Sequence, residues 1–249
     1  MLASETVNAR LTVTVLELPA SSGEPARMLE IVDRALSQGP RSDLVLLPEQ
    51  SLVGYVSPRG DFDLRRHAEA MDGPTARACA TLAKKHAVNL VTPLVLQEGR
   101  SFFNAMVAHG PNGARLFHYA KRHPWLPETW AAPGLEPMPV VALNGVKVTI
   151  AICYDGHFLE EEAADVLRAS DLLLFPSAWV DREDSRTPLL EGLARRFDIF
   201  VANANWGPGV VRVPGQGGST IFDRDGRRIA TVAPGQLRGD AVCGTRDAL

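Results

Sequence analysis

The sequence predicts an α/β protein of mixed α/β and α+β character, built from mixed β-sheets that carry helices on their outer faces. Apolar strand patterns alternate with amphipathic helical patterns along much of the 249-residue chain, as they do in proteins with parallel sheets. Three pairs of strands, however, flank short turn sequences that are typical of antiparallel hairpins. Alternation and hairpins together favour sheets with both strand directions. They leave open whether the protein has one sheet or two.

The N-terminal part of the chain has the pattern strand, helix, strand, helix, strand. The predicted strands cover residues 11–18, 44–47 and 88–96. The predicted helices cover residues 24–38 and a second segment that begins at a cap, Asp72 or Thr75, and ends at His86. The strand of residues 44–47 (LVLL) is apolar throughout, which is typical of a strand that is buried on both faces.

The hairpins are predicted by turns that contain Asn-Gly, Asp-Gly or Pro-Asn-Gly. The paired strands cover residues 102–109 with 114–120, 139–143 with 146–152, and 218–223 with 227–232. Asn144-Gly145, in the second pair, is the strongest of these turn signals. Between the second and third pairs, the pattern predicts a helix at 159–169, a strand at 171–175, a helix at 187–197 and a strand at 199–203.

The composition is that of an ordinary soluble globular protein. The chain has 29 acidic and 26 basic residues, and its net charge of −3 argues against a general binder of nucleic acid or anionic membranes. Three scattered cysteines are too few for a disulfide scaffold or a cysteine-rich zinc site. The N-terminus lacks the order of a secretory signal, no apolar run is long enough to span a membrane, and no nucleotide-binding motif occurs. We therefore expect a cytoplasmic protein without a metal, a cofactor, or a nucleic-acid or membrane partner.

Cys153 stands at a predicted change from strand to helix. It follows the apolar strand VKVTIAI and precedes the polar segment YDGHFLEEE. The N–H groups at the start of a helix lower the pKa of a thiol and stabilise an oxyanion, so the position suits a nucleophile. A lone cysteine is also commonly a small buried hydrophobic residue. Position alone leaves both interpretations open.

A thiol nucleophile needs a base, and histidine is the usual one. Of the six histidines, only His157 is close to Cys153 in the sequence. A class I glutaminase would have a Gly-x-Cys-x-Gly elbow and a later His-x-Glu. Here Cys153 lies between Ile152 and Tyr154, and the only His-x-Glu, at residues 67–69, precedes it. The pattern therefore disfavours a glutaminase triad.

Glu49 and Lys121 each follow a predicted strand, as Cys153 does. A carboxylate, an ammonium and a thiol delivered by three strand ends could converge at one edge of a sheet. The carboxylate would accept the thiol proton, and the ammonium would stabilise the charge that develops on a substrate oxygen. The alternative is an exposed glutamate and an exposed lysine, as most of these residues are.

These residues stand in motifs that resemble those of the nitrilase superfamily of carbon–nitrogen hydrolases. The glutamate, lysine and cysteine blocks read LLPE with a following Gly-Tyr, then YAKRH, then ICYD. Three further motifs stand in the order expected for that family, namely LLFPSAW at 173–179, VANANWG at 201–207 and GGSTIFDRDG at 217–226. The resemblance covers nearly the whole chain.

The resemblance implies a four-layer αββα sandwich, in which two mixed sheets stack face to face with helices outside, and a single domain over residues 1–249. It implies that Cys153 is the nucleophile, Glu49 the general base and Lys121 the cation that stabilises the oxyanion. The backbone N–H of Tyr154 would be the second oxyanion donor. Glu128 matches the second glutamate that many members use.

Candidate pocket residues come from the same motifs, and they are Tyr55, His157, Trp179 and Asn203. Many amidase branches of the family have an arginine where this chain has His157. Arginine is a permanent partner for a carboxylate, whereas histidine is mostly neutral near pH 7. If His157 faces the pocket, a neutral amide is the expected substrate. The alternative is that His157 packs behind the nucleophile and only caps the helix.

The Cys-Tyr-Asp block resembles amidase branches, so the expected reaction is hydrolysis of a small linear amide through a cysteine thioester. N-carbamoyl compounds and nitriles are alternative substrates for the same catalytic residues. A catalytically silent module that binds a metabolite or a protein is the alternative of another class. The family usually pairs protomers through the helices after the cysteine and through the C-terminal segment, so we expect a homodimer or a larger homo-oligomer.

Overall fold

The strands of the computed structural model form two six-stranded sheets. The structure describes residues 9–57, 59–180, 183–209 and 216–246. The first sheet contains β1 (Arg10–Leu16), β2 (Leu44–Leu46), β3 (Asn89–Glu98), β4 (Ser101–His109), β5 (Arg115–Ala120) and β12 (Arg238–Gly244). The second sheet contains β6 (Val141–Leu143), β7 (Val146–Ile150), β8 (Leu172–Ser177), β9 (Phe200–Asn205), β10 (Thr220–Phe222) and β11 (Arg228–Thr231). The spatial orders are β12-β1-β2-β3-β4-β5 and β11-β10-β9-β8-β7-β6.

Each sheet has parallel strands at its centre and antiparallel strands towards its edges. β2 runs parallel to β1 and β3, and β8 runs parallel to β7 and β9. The other neighbouring strands pair antiparallel. Asn144 and Gly145, which connect β6 to β7, have φ values of 46° and 85°, the left-handed conformations that a tight hairpin turn requires. The mixed sheets predicted from alternation and hairpins are confirmed.

Helices cover the outer faces of both sheets. They are α1 (Pro25–Gln38), α2 (Pro74–His86), α3 (Leu159–Glu162), α4 (Ala164–Ala169) and α5 (Arg186–Phe197). Apolar side chains from both sheets, among them Val13, Leu46, Ile150 and Val201, are fully buried in one cluster. A second cluster joins α1 and α2 to the first sheet, while α4 and α5 pack on strands of the second. The predicted four-layer αββα sandwich is confirmed.

The helix predicted at residues 159–169 is divided in the structure. It forms α3 and α4, and Ala163 between them has φ −134°, which is outside the helical range. Glu162, directly before the break, pairs with Arg122 and His123 at 3.2 Å each. These ion pairs tie the end of α3 to the loop that follows β5.

The cap predicted for α2 is also different in the structure. Neither Asp72 nor Thr75 caps the helix, and Gly73 occupies the N-cap position without a side-chain hydrogen bond. The carboxylate of Glu69 instead accepts the backbone N–H groups of Thr75 and Ala76, at 3.1 Å and 3.0 Å. A residue before the predicted start of the helix therefore satisfies its first donors.

β12 has no counterpart in the sequence prediction. Its sequence, RGDAVCG, contains two glycines and an aspartate, which are rare in strands. It forms because β1 offers it a full antiparallel partner, with Leu11 opposite Cys243 and Val15 opposite Gly239. Backbone pairing at the sheet edge therefore outweighs a weak local preference.

Among the described residues, no helix is both long enough and apolar enough to cross a membrane. The expectation that the N-terminus is not a secretory signal concerns mainly residues 1–8, which lie outside the described part of the chain.

Candidate active site

Glu49, Lys121 and Cys153 lie just beyond the carboxyl ends of β2, β5 and β7, and the structure brings the three side chains together. Lys121 Nζ lies 2.7 Å from Glu49 Oε1. The Cys153 thiol lies close enough to Glu49 and Lys121 for their charges to change its pKa. The face-to-face packing of the sheets places the ends of β2 and β5 opposite the ends of β7 and β8. The site is therefore formed by both sheets.

Lys121 is the central charge of the site. Its ammonium pairs with Glu49 and with Glu128 Oε2, at 2.7 Å each, and all three side chains are almost completely buried. Burial by itself lowers the pKa of Lys121, but the two carboxylates outweigh it and raise this pKa above its usual range. Lys121 therefore stays charged. These carboxylates use two of its three N–H donors, which leaves one for a substrate oxygen.

The two oxygens of Glu49 have different surroundings. Oε1 accepts hydrogen bonds from Lys121 and from Asn104 Nδ2, both at 2.7 Å. Oε2 accepts the N–H of Ala178 at 2.9 Å, and the charge of Glu49 acts on the nearby Cys153 thiol. Because Oε1 already has two donors and Oε2 has one, Oε2 is the atom best able to accept the thiol proton.

Asn104 and Gln50 belong to the site and were not predicted from the sequence. Asn104 lies in β4, and its Nδ2 also donates to Glu128 Oε1 at 2.7 Å. Its Oδ1 accepts Gln50 Nε2 at 2.6 Å. A lone asparagine in the strand FFNAMVAH was the available signal, since a buried polar side chain needs a partner.

Cys153 has an unusual backbone conformation. It is the first residue of a 3-10 helix, Cys153–His157, where the sequence predicted only that a helix opens nearby. Its φ is +48°, in the left-handed region that residues other than glycine rarely adopt. The first N–H groups of a short helix have no partner within it, so the N–H of Tyr154 is a candidate oxyanion donor.

The protonation state of Cys153 differs from the expectation based on its position in the chain. Burial and the nearby carboxylate of Glu49 raise the pKa of the thiol well above its usual value, and Lys121 and the N–H of Ala178 offset this only in part. The site holds two carboxylates for one ammonium, so its net negative charge disfavours a third anion, the thiolate. The thiol is therefore protonated at neutral pH, and its attack requires a base.

Asp155 connects the loop after β5 to the loop after β7. Its Oδ1 accepts the backbone N–H groups of Arg122 and His123, at 3.1 Å and 2.8 Å. Its Oδ2 accepts the Tyr119 hydroxyl at 2.9 Å and the backbone N–H of Ile152 at 3.0 Å. One buried carboxylate thus joins the residues next to Lys121 to the residue next to Cys153, across the two sheets.

Asp155→Asn is expected to lower both stability and kcat. The substitution replaces one carboxylate oxygen with an NH₂ group. This group cannot accept a hydrogen bond, yet it faces a backbone N–H on either side of the carboxylate. We expect a loss of about 3 kcal/mol in the free energy of unfolding, measured with urea, because charge-assisted hydrogen bonds are lost and donors stay buried. Asp43→Asn is the matched control, since the described side-chain hydrogen bond of the Asp43 carboxylate is the one from the backbone N–H of Thr12, far from the site. Equal stability and kcat in both variants would contradict this role.

The site opens into a cavity of about 360 Å³. Its described lining residues are Tyr55, Trp125, Cys153, Tyr154, His157, Ala178, Trp179, Val180 and Ser185. His157 therefore faces the cavity rather than packing behind the nucleophile, and its ring lies 5.4 Å from the ring of Trp179. Among the described residues, no cluster of three or more metal-ligating side chains occurs.

The predicted pocket residues are divided between the cavity and the second sheet. Tyr55, His157 and Trp179 line the cavity, but Asn203 does not. The Asn203 side chain lies within the second sheet, where Nδ2 donates to the backbone oxygen of Phe175 at 2.7 Å and to Ser177 Oγ at 2.9 Å. The assignment of Asn203 to the pocket is therefore corrected. Its place in β9 could not be distinguished from a pocket position by motif alone.

Comparison with known proteins defines the class of this protein. Residues 21–238 match the family model of the carbon–nitrogen hydrolases. The chain therefore belongs to the carbon–nitrogen hydrolase family, as its resemblance to the nitrilase superfamily predicted.

The chain is similar to two curated proteins along most of its length. It is 28% identical over 242 residues to a hydrolase of Pseudomonas protegens, which covers 95% of this chain and 83% of that protein. It is 26% identical over 234 residues to an (R)-stereoselective amidase of a Pseudomonas species, which covers 92% of this chain and 83% of that one.

A solved structure has the same fold. It is a glutamate-to-glutamine mutant of the amidase from Nesterenkonia sp. AN1, which matches with a TM-score of 0.82 and 23% identity. The match covers 97% of this chain and 92% of that chain. That amidase carries the acetamide moiety of fluoroacetamide covalently added at its active-site cysteine.

Proposed function

We propose that the protein hydrolyses the C–N bond of a small uncharged carboxamide through a thioester on Cys153. The observation that carries this proposal is the buried ion-paired group of Glu49, Lys121 and Glu128 beside a thiol that lines a cavity. The covalent addition of the acetamide moiety of fluoroacetamide at the active-site cysteine of the Nesterenkonia amidase is consistent with a nucleophilic cysteine at such a site.

Acylation uses the donors and the base of the site. Cys153 Sγ attacks the carbonyl carbon as its proton passes to Glu49 Oε2, and the carbonyl oxygen takes the electron pair. The remaining N–H of Lys121 and the N–H of Tyr154 stabilise this oxyanion. The C–N bond then breaks as Glu49 returns the proton to the leaving nitrogen, which departs as ammonia or an amine. The product on the protein is a thioester.

Deacylation repeats the same proton transfers through Glu49, with water as the nucleophile in place of the thiol. Glu49 takes a proton from water, whose oxygen attacks the thioester carbon, and the same donors hold the second oxyanion. The C–S bond breaks, the carboxylic acid leaves and the proton returns to Cys153. Glu128 does not transfer a proton in this scheme. It holds Lys121 in place and, with Glu49, keeps it charged.

The cavity wall supports an uncharged acyl group. Four aromatic side chains (Tyr55, Trp125, Tyr154 and Trp179) line it, and none of its described lining residues is Arg or Lys. Apolar walls with few polar groups suit an apolar ligand. A cavity of about 360 Å³ also exceeds the needs of formamide. The favoured substrates are therefore primary amides with a neutral acyl chain of several carbon atoms.

An ammonia-release screen tests the proposal. The panel contains formamide, butyramide, a phenylalkyl amide, an ω-amido acid, an N-carbamoyl amino acid and the nitrile of the best amide. We expect turnover of the neutral amides with the larger acyl groups. Turnover of only the N-carbamoyl compound or only the nitrile would assign one of the alternative substrates. No turnover of any compound by folded protein would favour a silent binding module.

His157→Arg is expected to change substrate preference. The longer, permanently charged side chain would enter the cavity beside Trp179 and provide a partner for a carboxylate. We expect kcat/KM for an ω-amido acid to rise roughly tenfold relative to butyramide, which corresponds to about 1.4 kcal/mol of selective binding. His157→Gln is the control, because it is polar but uncharged. If the ratio of kcat/KM for the ω-amido acid to kcat/KM for butyramide is the same in both variants, His157 does not determine substrate specificity.

A homodimer or larger homo-oligomer and a cytoplasmic location stay predictions from the sequence. We propose the helices after Cys153 as the surface that pairs two copies of the chain, by analogy with the family.

A further inference from the structure

Asn104 is the one neutral side chain that touches both carboxylates of the site among the described contacts. It lies in the fourth position of β4, and only 1% of its surface is exposed. Its Nδ2 lies 2.7 Å from Glu49 Oε1 and 2.7 Å from Glu128 Oε1. A side-chain amide has two N–H donors on one nitrogen, so it can donate one to each carboxylate.

The orientation of this amide is set by its partners. If its nitrogen and oxygen were exchanged, the oxygen would face two carboxylates and would be repelled by both. Asn104 Oδ1 in turn accepts Gln50 Nε2 at 2.6 Å. Gln50 directly follows Glu49 and has φ +52°, a conformation that is uncommon outside glycine. The chain of donors therefore runs from Gln50 through Asn104 to the two carboxylates.

We infer that Asn104 is a positioning residue that holds Glu49 and Glu128 ionised and fixes which oxygen of Glu49 serves as the base. This inference rests on the proposed function. By occupying Oε1 of Glu49, Asn104 and Lys121 leave Oε2, which has the single donor Ala178 N–H, as the oxygen that can take the thiol proton. Its two donors also lie between carboxylates that would otherwise repel each other. Without Asn104, Lys121 and one backbone N–H on each carboxylate, from Ala178 and from Trp125, would have to compensate two buried negative charges.

Glu128 shows why this second donor is needed. Burial raises the pKa of its carboxyl group, Lys121 acts against this, and the charge of Glu49 raises it further. A donor hydrogen bond favours the ionised form of a carboxylate. Removing Asn104 therefore favours uptake of a proton by the pair of glutamates, and a protonated base cannot activate Cys153.

Asn104→Ala tests the inference through the pH dependence of activity. We expect the acid limb of kcat/KM to move up by about one pH unit, because each carboxylate loses one charge-assisted hydrogen bond. We expect kcat to fall on the order of 100-fold, since the base is no longer held in place, while KM changes little. Asn89→Ala is the matched control. Asn89 is a buried asparagine of the same sheet that donates only to the backbone oxygen of Asp43.

The rate of Cys153 alkylation by iodoacetamide, measured against pH by mass spectrometry, needs no substrate. Its acid limb should shift as that of kcat/KM does in Asn104→Ala and stay unchanged in Asn89→Ala. If the acid limb of alkylation shifts in Asn104→Ala but the wild type hydrolyses no amide, the proposed function is rejected and the role of Asn104 is retained. Unchanged acid limbs in folded Asn104→Ala would overturn the inference.

If Asn104→Ala does not fold, Gln50→Met removes only the donor to Asn104 Oδ1. A smaller upward shift is then expected, because the Asn104 amide is free to rotate. No shift in a folded Gln50→Met variant would overturn the chain of donors described above.

Discussion

Cys153→Ala is expected to abolish amide hydrolysis and to leave the fold intact. The substitution removes the proposed nucleophile, and in a hydrolase with a covalent intermediate this loss costs on the order of a million-fold in kcat. Cys153 lines the cavity and is 8% exposed, so the loss of one sulfur atom enlarges a space that is already open. We therefore expect the unfolding temperature to stay within a few degrees of that of the wild type.

The measurement is ammonia release with the best amide of the panel, together with intact mass spectrometry. Wild-type protein should carry the mass of the acyl group when the reaction is stopped early, and Cys153→Ala should not. Cys79→Ala is the control, because Cys79 lies on the buried face of α2 and burial raises its pKa to about 11. Full activity in folded Cys153→Ala would reject the thioester.

Iodoacetamide should label Cys153 before the other two cysteines. Burial also raises the pKa of Cys243, to about 12, and that thiol lies in the core between the sheets. Although the pKa of Cys153 is raised too, Cys153 alone of the three lines the cavity, and Glu49 lies beside it to accept the proton. Access and a nearby base, rather than a low thiol pKa, therefore account for its expected reactivity.

Lys121→Met is expected to cause the second large effect, on both catalysis and stability. The variant removes the charged donor to the oxyanion, which costs roughly 100- to 1,000-fold in kcat. It also leaves Glu49 and Glu128 buried without their cation, and removal of one partner of a buried ion pair costs about 3–5 kcal/mol. Urea unfolding and single-turnover kinetics measure the two effects separately.

Glu49→Gln separates the base from the ion pair. It keeps the shape of the side chain but cannot accept the thiol proton, and the loss of a general base lowers kcat by roughly 100- to 10,000-fold. Lys121 then keeps Glu128 as its partner, so the loss of stability should be smaller than in Lys121→Met. Near wild-type kcat in either folded variant would show that the proposed roles are wrong.

Lys85→Ala is the control for removal of a lysine ion pair. Lys85 pairs with Asp33 at 2.7 Å, but its side chain is 55% exposed. An exposed pair contributes about 0–1 kcal/mol, and kcat should not change.

The contribution of Lys121 to the free energy of unfolding also depends on pH. Because the pKa of Lys121 is raised, its contribution to stability is complete at neutral pH and is lost only under strongly alkaline conditions.

Local sequence signals predicted the positions of the catalytic candidates along the chain. The apolar strands before Glu49 and Cys153 and the hairpin strand before Lys121 are all present in the structure. Strand periodicity and turn residues act over a few neighbouring residues, so they can be recognised without knowledge of the fold. The same signals failed where local preference is weak, as in β12, which forms only because β1 is beside it.

The sequence by itself determined the order of strands and helices, the polar residues at the strand ends and, through its motifs, the family. Only the tertiary structure decided which of those residues meet. Ala178 and Glu49 are 129 residues apart, and their hydrogen bond depends on how the two sheets stack. Asn104 reaches the glutamates, and Asn203 stays within the second sheet, because of pairing and packing between distant segments. The charge balance that keeps the Cys153 thiol protonated depends on these long-range contacts, and no local pattern encodes it.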